Sequence, residues 1–341
     1  MNLAWYWTAL IAFLIVNFLL VSASVLVYAE RKVSGYMQNR PGPNRVGPFG
    51  FLQPFADVLK LVMKENIVPA MANPFVHSLA PMMMVVIAMT AGALIPFAHN
   101  VVIADMDVSV LVLLALTSIS VYGVTLAGWS SNSKYSLLGG LRSSAQMISY
   151  ELSMGLAVLS VVLIAGSLSL TDIVVDQSGG WGILGWNVFR NPLGCILFIV
   201  TAFAETNRAP FDLPEAEQEL VGGYHTEYSG MKFGMFFLAE YVNFFIASFV
   251  IVTLFFGGYM LPFESLIIAQ FPGLEGSLTL MALQIGTVIL KAGFFAYVFI
   301  WVRWTLPRFK YQQLMTLGWK YLLPIALVNA LLVAVGLIIF S

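Results

Sequence analysis

Apolar residues run along this chain in long unbroken stretches, separated by segments where charge, proline and glycine concentrate. Eight stretches stand out: Leu3–Ala29, Leu79–Phe97, Val108–Trp129, Ile148–Leu170, Trp186–Ala204, Phe233–Leu261, Leu278–Val302 and Tyr321–Phe340. They lack the alternation of a barrel strand, and a helix is the other structure that satisfies its own backbone inside lipid. The pattern predicts an all-α, polytopic membrane protein, a single transmembrane helical bundle over residues 1–341 with about eight spans. The fifth stretch is the weakest. Its uninterrupted apolar part, Pro192–Ala204, is about 20 Å long as a helix, so it either draws on the Trp186 side or lies recessed in the protein.

Three of the intervening segments are too long to be simple connectors: 30–77, 130–147 and 205–232. In the first, Asn39–Gly50 is dense in proline and glycine and predicts ordered turns. Phe51–Glu65 follows. Here Gln53, Asp57, Lys60 and Lys64 share one helical face, and Phe51, Phe55, Val58, Leu59 and Val62 occupy the other. This predicts an amphipathic helix of about 22 Å, too short and too charged to span. Such a helix either lies in the membrane interface or walls a cavity at membrane depth with Asp57 facing inward. The second segment, Ser130–Met147, reads as a polar loop. In the third, Glu205, Asp212, Glu215, Glu217, Glu219 and Glu227 alternate with Pro210, Phe211, Leu213, Pro214, Leu220, Val221 and two tyrosines. That interleaving predicts a loop folded against another surface, not a solvated acidic tail.

Charge gives the bundle a direction. Of the 16 Lys and Arg, 14 fall in the segments after spans one, three, five and seven. By the positive-inside rule those segments are cytoplasmic and both termini lie outside. The first stretch has no basic residues ahead of it and Arg31–Lys32 after it, so it reads as a retained anchor and not a cleaved signal. Only 10% of the residues are charged and 60% are hydrophobic, against about 25% charged in a soluble domain. A cytosolic enzyme, a disordered chain and a nucleic-acid binder are thereby excluded. No internal repeat is visible, which argues against an inverted-repeat transporter.

Candidate chemistry is confined to carboxylates. Cys195 is the single cysteine and sits in an apolar run, where it packs as an inert residue. His77 and His99 are 22 residues apart, about 33 Å on a helix, so they cannot share a metal or haem. No metal site and no redox centre are therefore expected in the chain. Glu30 ends span one, Glu151 starts span four, Glu205 ends span five, and Glu240 and Lys291 lie within spans six and seven. A charge at a helix centre costs about 2.5–3.5 kcal/mol to insert, so such residues usually face the bundle interior and mark ion or proton paths. Glu30 and Glu205 could equally reach the headgroups, and Lys291 could serve as the counter-ion of Glu240. A set of carboxylates at different depths is what proton relay requires, and it needs no cofactor.

Four strings are more specific. Ala29–Lys32, Arg40–Gly50, Ser131–Arg142 and Ala204–Tyr228, with Arg303, Pro307–Tyr311 and Leu314–Met315, closely resemble the NuoH-type membrane subunit of proton-pumping NADH:quinone oxidoreductase, respiratory complex I. The resemblance covers essentially the whole chain. Gly140, where Ala is common, and Gln218, where a small polar residue is common, depart from it without removing a titratable group.

The resemblance implies a subunit of a bacterial inner-membrane enzyme that helps form the quinone chamber and couples quinone reduction to proton translocation. It implies a proton path through Glu30, Asp57, Glu151, Glu205, Glu215, Glu217, Glu219, Glu227 and Glu240, joined by Lys291 from the charge reading above. Arg31, Arg45, Arg142, Arg208, Arg303 and Arg308 become chamber residues or tethers of the acidic loop. No residue is implied as catalytic. Quinone is the implied substrate, while NADH, FMN and the iron–sulfur clusters belong to partner subunits. The implied partners are the hydrophilic-arm subunits, the adjacent small membrane subunits and the lipid bilayer. A stand-alone ion transporter, or the anchor of a related membrane-bound hydrogenase, would share parts of this pattern.

Overall fold

The computed structural model describes residues 5–99, 101–178, 182–212, 221–264, 270, 273 and 276–340. Among these residues the architecture is helical throughout. α1 (Trp5–Met37) crosses first, and a proline- and glycine-rich turn leads to the short α2 (Gln53–Met63). The amphipathic helix is thus present, slightly shorter than its sequence pattern suggested. Asn73 caps α3 (Pro74–Gly92) by accepting from the Phe75 and Val76 amides, with Pro74 at the first helical position. α4 (Ser109–Ser130) and α5 (Lys134–Ala165) follow, and α5 ends at Gly166 in the left-handed conformation, φ +68°.

α6 (Leu170–Asp176) and α7 (Asn187–Arg190) are short, and α8 (Pro192–Glu205) has 14 residues. The chain closes with α9 (Gly230–Phe255), α10 (Leu278–Thr305), α11 (Tyr311–Thr316) and α12 (Leu323–Phe340), the last two joined by a π-helical stretch at Leu317–Leu322. Among the described residues, seven helices are long and apolar enough to cross a membrane.

α8 is the short exception, and its cause is local. Asn191 breaks the path from Trp186, caps α8 by accepting from the Gly194 amide at 2.9 Å, and donates to Ser160 Oγ at 2.6 Å. Of the two alternatives left by the sequence, the helix is recessed: Cys195, Leu197, Phe198, Ala202, Phe203 and Ala204 are all buried.

Two boundaries differ from the expectation. Residues 134–147 are not a loop but the first turns of α5. Tertiary contact overrides their polar, glycine-rich composition. A Cβ on Gly139 would lie 2.8 Å from Gly223, and one on Gly128 would lie 2.5 Å from the Ser136 carbonyl, so these glycines let α4, α5 and the 223–225 turn approach closely. Glu151 consequently sits well inside α5 and not near its start. α1 likewise continues to Met37, which leaves Glu30 about two turns before the helix end.

A buried charge cluster beside a cavity

Glu30 of α1, Arg208 of the segment after α8, Glu240 of α9 and Arg303 of α10 converge in the interior. Arg208 Nη1 lies 2.9 Å from Glu30 Oε2, and Arg208 Nε lies 3.2 Å from Glu240 Oε1. Arg303 Nη1 pairs with Glu30 Oε1 at 2.7 Å, and Tyr241 donates its hydroxyl to Glu30 Oε2 at 2.9 Å. The Arg208 side chain is 0% exposed, its guanidinium stacked 4.4 Å from the Tyr241 ring and 4.2 Å from the Phe244 ring. Two cations thus face two carboxylates, so the four formal charges cancel. Burial alone would disfavour the Arg208 charge, but Glu240 and Glu30 outweigh it and raise its pKa.

The segment carrying Arg208 is held from three sides. Gln146 Nε2 donates to the Ala204 carbonyl at 3.0 Å and the Phe211 carbonyl at 2.7 Å, and lies 3.3 Å from Asn207 Oδ1. Asp212 pairs with Arg308 at 2.6 Å, and the Phe309 amide donates to the Pro210 carbonyl at 3.2 Å. The Phe211 ring meets Tyr150 edge-on at 5.4 Å, while Tyr150 donates to the Leu314 carbonyl at 2.8 Å. The downstream turn is fixed as well. Tyr228 stacks on His77 with ring centroids 3.9 Å apart and shares a 3.2 Å hydrogen bond with Ser130. Burial pushes the Tyr228 hydroxyl up to about 12 and His225, packed among Tyr224, Phe233 and Phe237, down to about 4.

A cavity of about 630 Å³ opens between α1, α2 and α9, lined among others by Arg31, Asp57, Phe233, Phe237 and Tyr241. Asp57 faces this space. It pairs with Arg31 Nη1 at 2.5 Å and accepts from Gln53 Nε2 at 3.0 Å. Tyr241 therefore touches the cavity on one side and Glu30 on the other.

Beyond the cluster, Glu240 and Glu205 border a small space of about 20 Å³ together with Asn207 and Asn243. Glu205 Oε2 is buried with no hydrogen-bond partner among the described residues. Glu205, Asn243, Thr117 and Ser120 also line one region of a narrow cavity of about 70 Å³. Next to Thr117, Ser118 donates to Glu151.

Comparison with known proteins identifies the family. The profile of the NADH dehydrogenase family matches residues 9–334. The chain is 73% identical over its full length, and the full length of its relative, to NADH-quinone oxidoreductase subunit 8 of Rhodothermus marinus. It is 72% identical to the H-type subunit of the NADH-quinone oxidoreductase of Salinibacter ruber, over 98% of this chain and 97% of that one. The H-type subunit of Rhodospirillum centenum is 50% identical, over 95% and 91%. The chain belongs to the family of H-type subunits of NADH-quinone oxidoreductase.

Within this family member, the structure brings together Glu30, Arg208, Glu240 and Arg303, and places Glu205 and Glu151 beyond them. Asp57 and Arg31 sit at the cavity, and Arg308 tethers the acidic segment. Arg142 leaves that group and lies over the Tyr311 ring at 5.7 Å. Arg45 is exposed in the turn after α1, and Glu227 is half-buried in the turn after His225, both apart from the cluster. Glu215, Glu217 and Glu219 lie outside the described residues.

Lys291 is not the counter-ion of Glu240, which pairs with Arg208 instead. Its Nζ donates to the carbonyls of Phe256 at 2.9 Å, Gly258 at 3.1 Å and Met260 at 2.8 Å. The unpaired carbonyls at the end of α9 attract the ammonium, and the Trp186 ring covers it at 4.4 Å.

Tyr241, Gln146, Asp212, Asn243 and Ser118 were not singled out from sequence. Each is a neutral or loop residue within an apolar or acidic string, and only the partner across the fold gives it a role. Of these, Asp212 alone carried a signal, as an acid in a loop expected to fold against another surface.

Proposed function

We propose that the 630 Å³ cavity between α1, α2 and α9 is this chain's share of a quinone chamber, and that the buried carboxylates couple quinone reduction to proton translocation. The observation that carries the reading is Tyr241, which lines the cavity and donates to Glu30 within the buried charge cluster. A change of charge at a quinone headgroup is thereby one side chain away from Glu30, Arg208 and Glu240. Arg208 and Arg303 are fixed counter-charges that hold Glu30 and Glu240.

Among the described residues Glu205 has no such cation, and it acts as the group that takes up and passes on a proton, through the space shared with Glu240 and on toward Ser118 and Glu151. Both small spaces are large enough to hold water. In this order Glu240 precedes Glu205 and Glu151, so a signal from quinone meets it first. Coupling needs an element with two arrangements that both sites bias, and the segment carrying Arg208 is that element. Lys291, bound to backbone carbonyls, has no part in the path.

By the positive-inside rule the basic residues support a cytoplasmic Arg31 end, with both termini outside a bacterial inner membrane. There the cavity meets the hydrophilic-arm subunits that carry FMN and the iron–sulfur clusters and take electrons from NADH. Small membrane subunits continue the path beyond Glu151.

Glu205→Gln and Glu151→Gln in the assembled complex test the relay. Quinone reductase rate and proton translocation are both expected to fall by about tenfold or more in reconstituted vesicles. Full reduction with full pumping in both variants would overturn the reading.

A further inference from the structure

A second recess, of about 380 Å³, lies farther toward the end of α1 and is lined by Arg31, Ser34, Arg40, the Pro41–Gly42–Pro43 turn and Trp304. Its walls are the ends of two spanning helices and the turn that follows one of them. Gly42, at φ +64°, allows that turn to fold back on α1, where a Cβ would meet the Arg31 carbonyl at 3.0 Å. The Arg40 amide donates to the Gly35 carbonyl at 2.8 Å, which brings its exposed guanidinium alongside the helix end.

Lys32 adds a third cation at the margin, donating to the Pro41 carbonyl at 3.0 Å and lying 6.0 Å from the exposed Tyr36 ring. Neighbouring residues at the end of α10 divide the labour. Arg303 turns inward to Glu30, while Trp304 is 42% exposed at the recess.

Below the margin of this recess, under Lys32 and Trp304, the surface is apolar. Helical spacing places Val25 and Val21 beneath Lys32, and Trp301 and Tyr297 beneath Trp304, and all four are exposed. Cations, an exposed indole and apolar side chains thus follow one another along α1 and α10. Basic pockets between spanning helices at the basic end of a membrane protein recognise phosphate headgroups, and Trp and Tyr mark the headgroup level.

We propose that Arg40, Arg31, Lys32 and Trp304 form a binding site for the phosphodiester headgroup of an anionic phospholipid, with its acyl chains along α1 and α10. An acidic peptide of a partner subunit would satisfy the cations but not the apolar face beneath them. Arg31 also borders the larger cavity and pairs with Asp57, so an occupied site would steady the guanidinium that sits at its edge.

The test uses the assembled complex in nanodiscs that carry a phosphatidylglycerol with a photoreactive group at the glycerol backbone, or the matching phosphatidylcholine. The anionic probe should label peptides covering residues 31–43 and 301–304 in preference to the zwitterionic one. Arg40→Gln should lower that labelling about fivefold, the effect of one cation near a membrane surface, and Arg40→Lys should retain it. Equal labelling by the two lipids, or none at these peptides, would overturn the proposal. So would full displacement by free inorganic phosphate, which would assign the recess to a soluble phosphate compound. A photo-crosslinking residue at position 40 that captures only a partner subunit would make the recess a protein interface and overturn it likewise. Should Arg40→Gln fail to assemble, the comparison of the two lipids on the unsubstituted complex still decides.

Discussion

At Arg208 the cost of burying a charge and the reason for doing so can be read together. Its guanidinium is fully enclosed, yet it has carboxylates of α1 and α9 within 2.9 and 3.2 Å and two aromatic rings over its faces. Removing one member of such a group strands the others, at about 3–5 kcal/mol. Arg208→Ala is therefore expected to lower the melting temperature of the assembled complex and its yield, and Arg208→Lys to recover only part. A guanidinium reaches two carboxylates through different nitrogens in a fixed plane, and an ammonium does not reproduce that geometry. A melting temperature for Arg208→Ala equal to that of the unsubstituted complex would show that the cluster contributes nothing to stability.

At the scale of elements, the segment after α8 is ordered by single side chains on its neighbours. Gln146 alone meets the Ala204 carbonyl in the last turn of α8, the Phe211 carbonyl and Asn207. Gln146→Ala should take the side-chain donor from the buried Phe211 carbonyl, at about 1–3 kcal/mol, and speed amide exchange over residues 206–212 while α5 itself stays protected. Unchanged exchange there would remove Gln146 as the anchor.

The next turn carries a pH dependence. His225 is held near 4, below its ordinary 6.5, because burial disfavours its charged form. The unfolded turn thus binds a proton that the folded one excludes, so the turn loosens as pH falls from 6.5 toward 4. Amide protection over residues 223–228 should decline across that window, and His225→Asn should remove this contribution. Protection that is flat with pH in the unsubstituted protein would contradict it.

For the molecule as a whole, the reading as one subunit of a larger enzyme separates it from a self-sufficient transporter. The chain reconstituted alone in liposomes is expected to move no protons, whereas the complex with a photoreactive quinone should take label on α2 or the turn before it. Transport by the isolated chain, or label confined to partner subunits, would count against the chamber.

What the sequence determined was the class of fold and its chemistry. Long apolar stretches dictate spanning helices because lipid offers the backbone no other partner, and α2 was legible because its charges repeat on one face. The buried acids were visible as charges in strings that should have none. Only the tertiary structure decided which of them meet. Glu30 and Glu240 are 210 positions apart and share Arg208, a contact no local pattern encodes. Lys291, which by its charge could have served as the counter-ion of Glu240, is captured instead by the open carbonyls after α9. Residues 134–147 look like a loop because their glycines and serines suit one, and become helix because close approach to α4 and the 223–225 turn requires small residues there. Periodicity reports what each residue needs from its own helix, whereas ion pairing at membrane depth depends on which helices the packed bundle brings side by side.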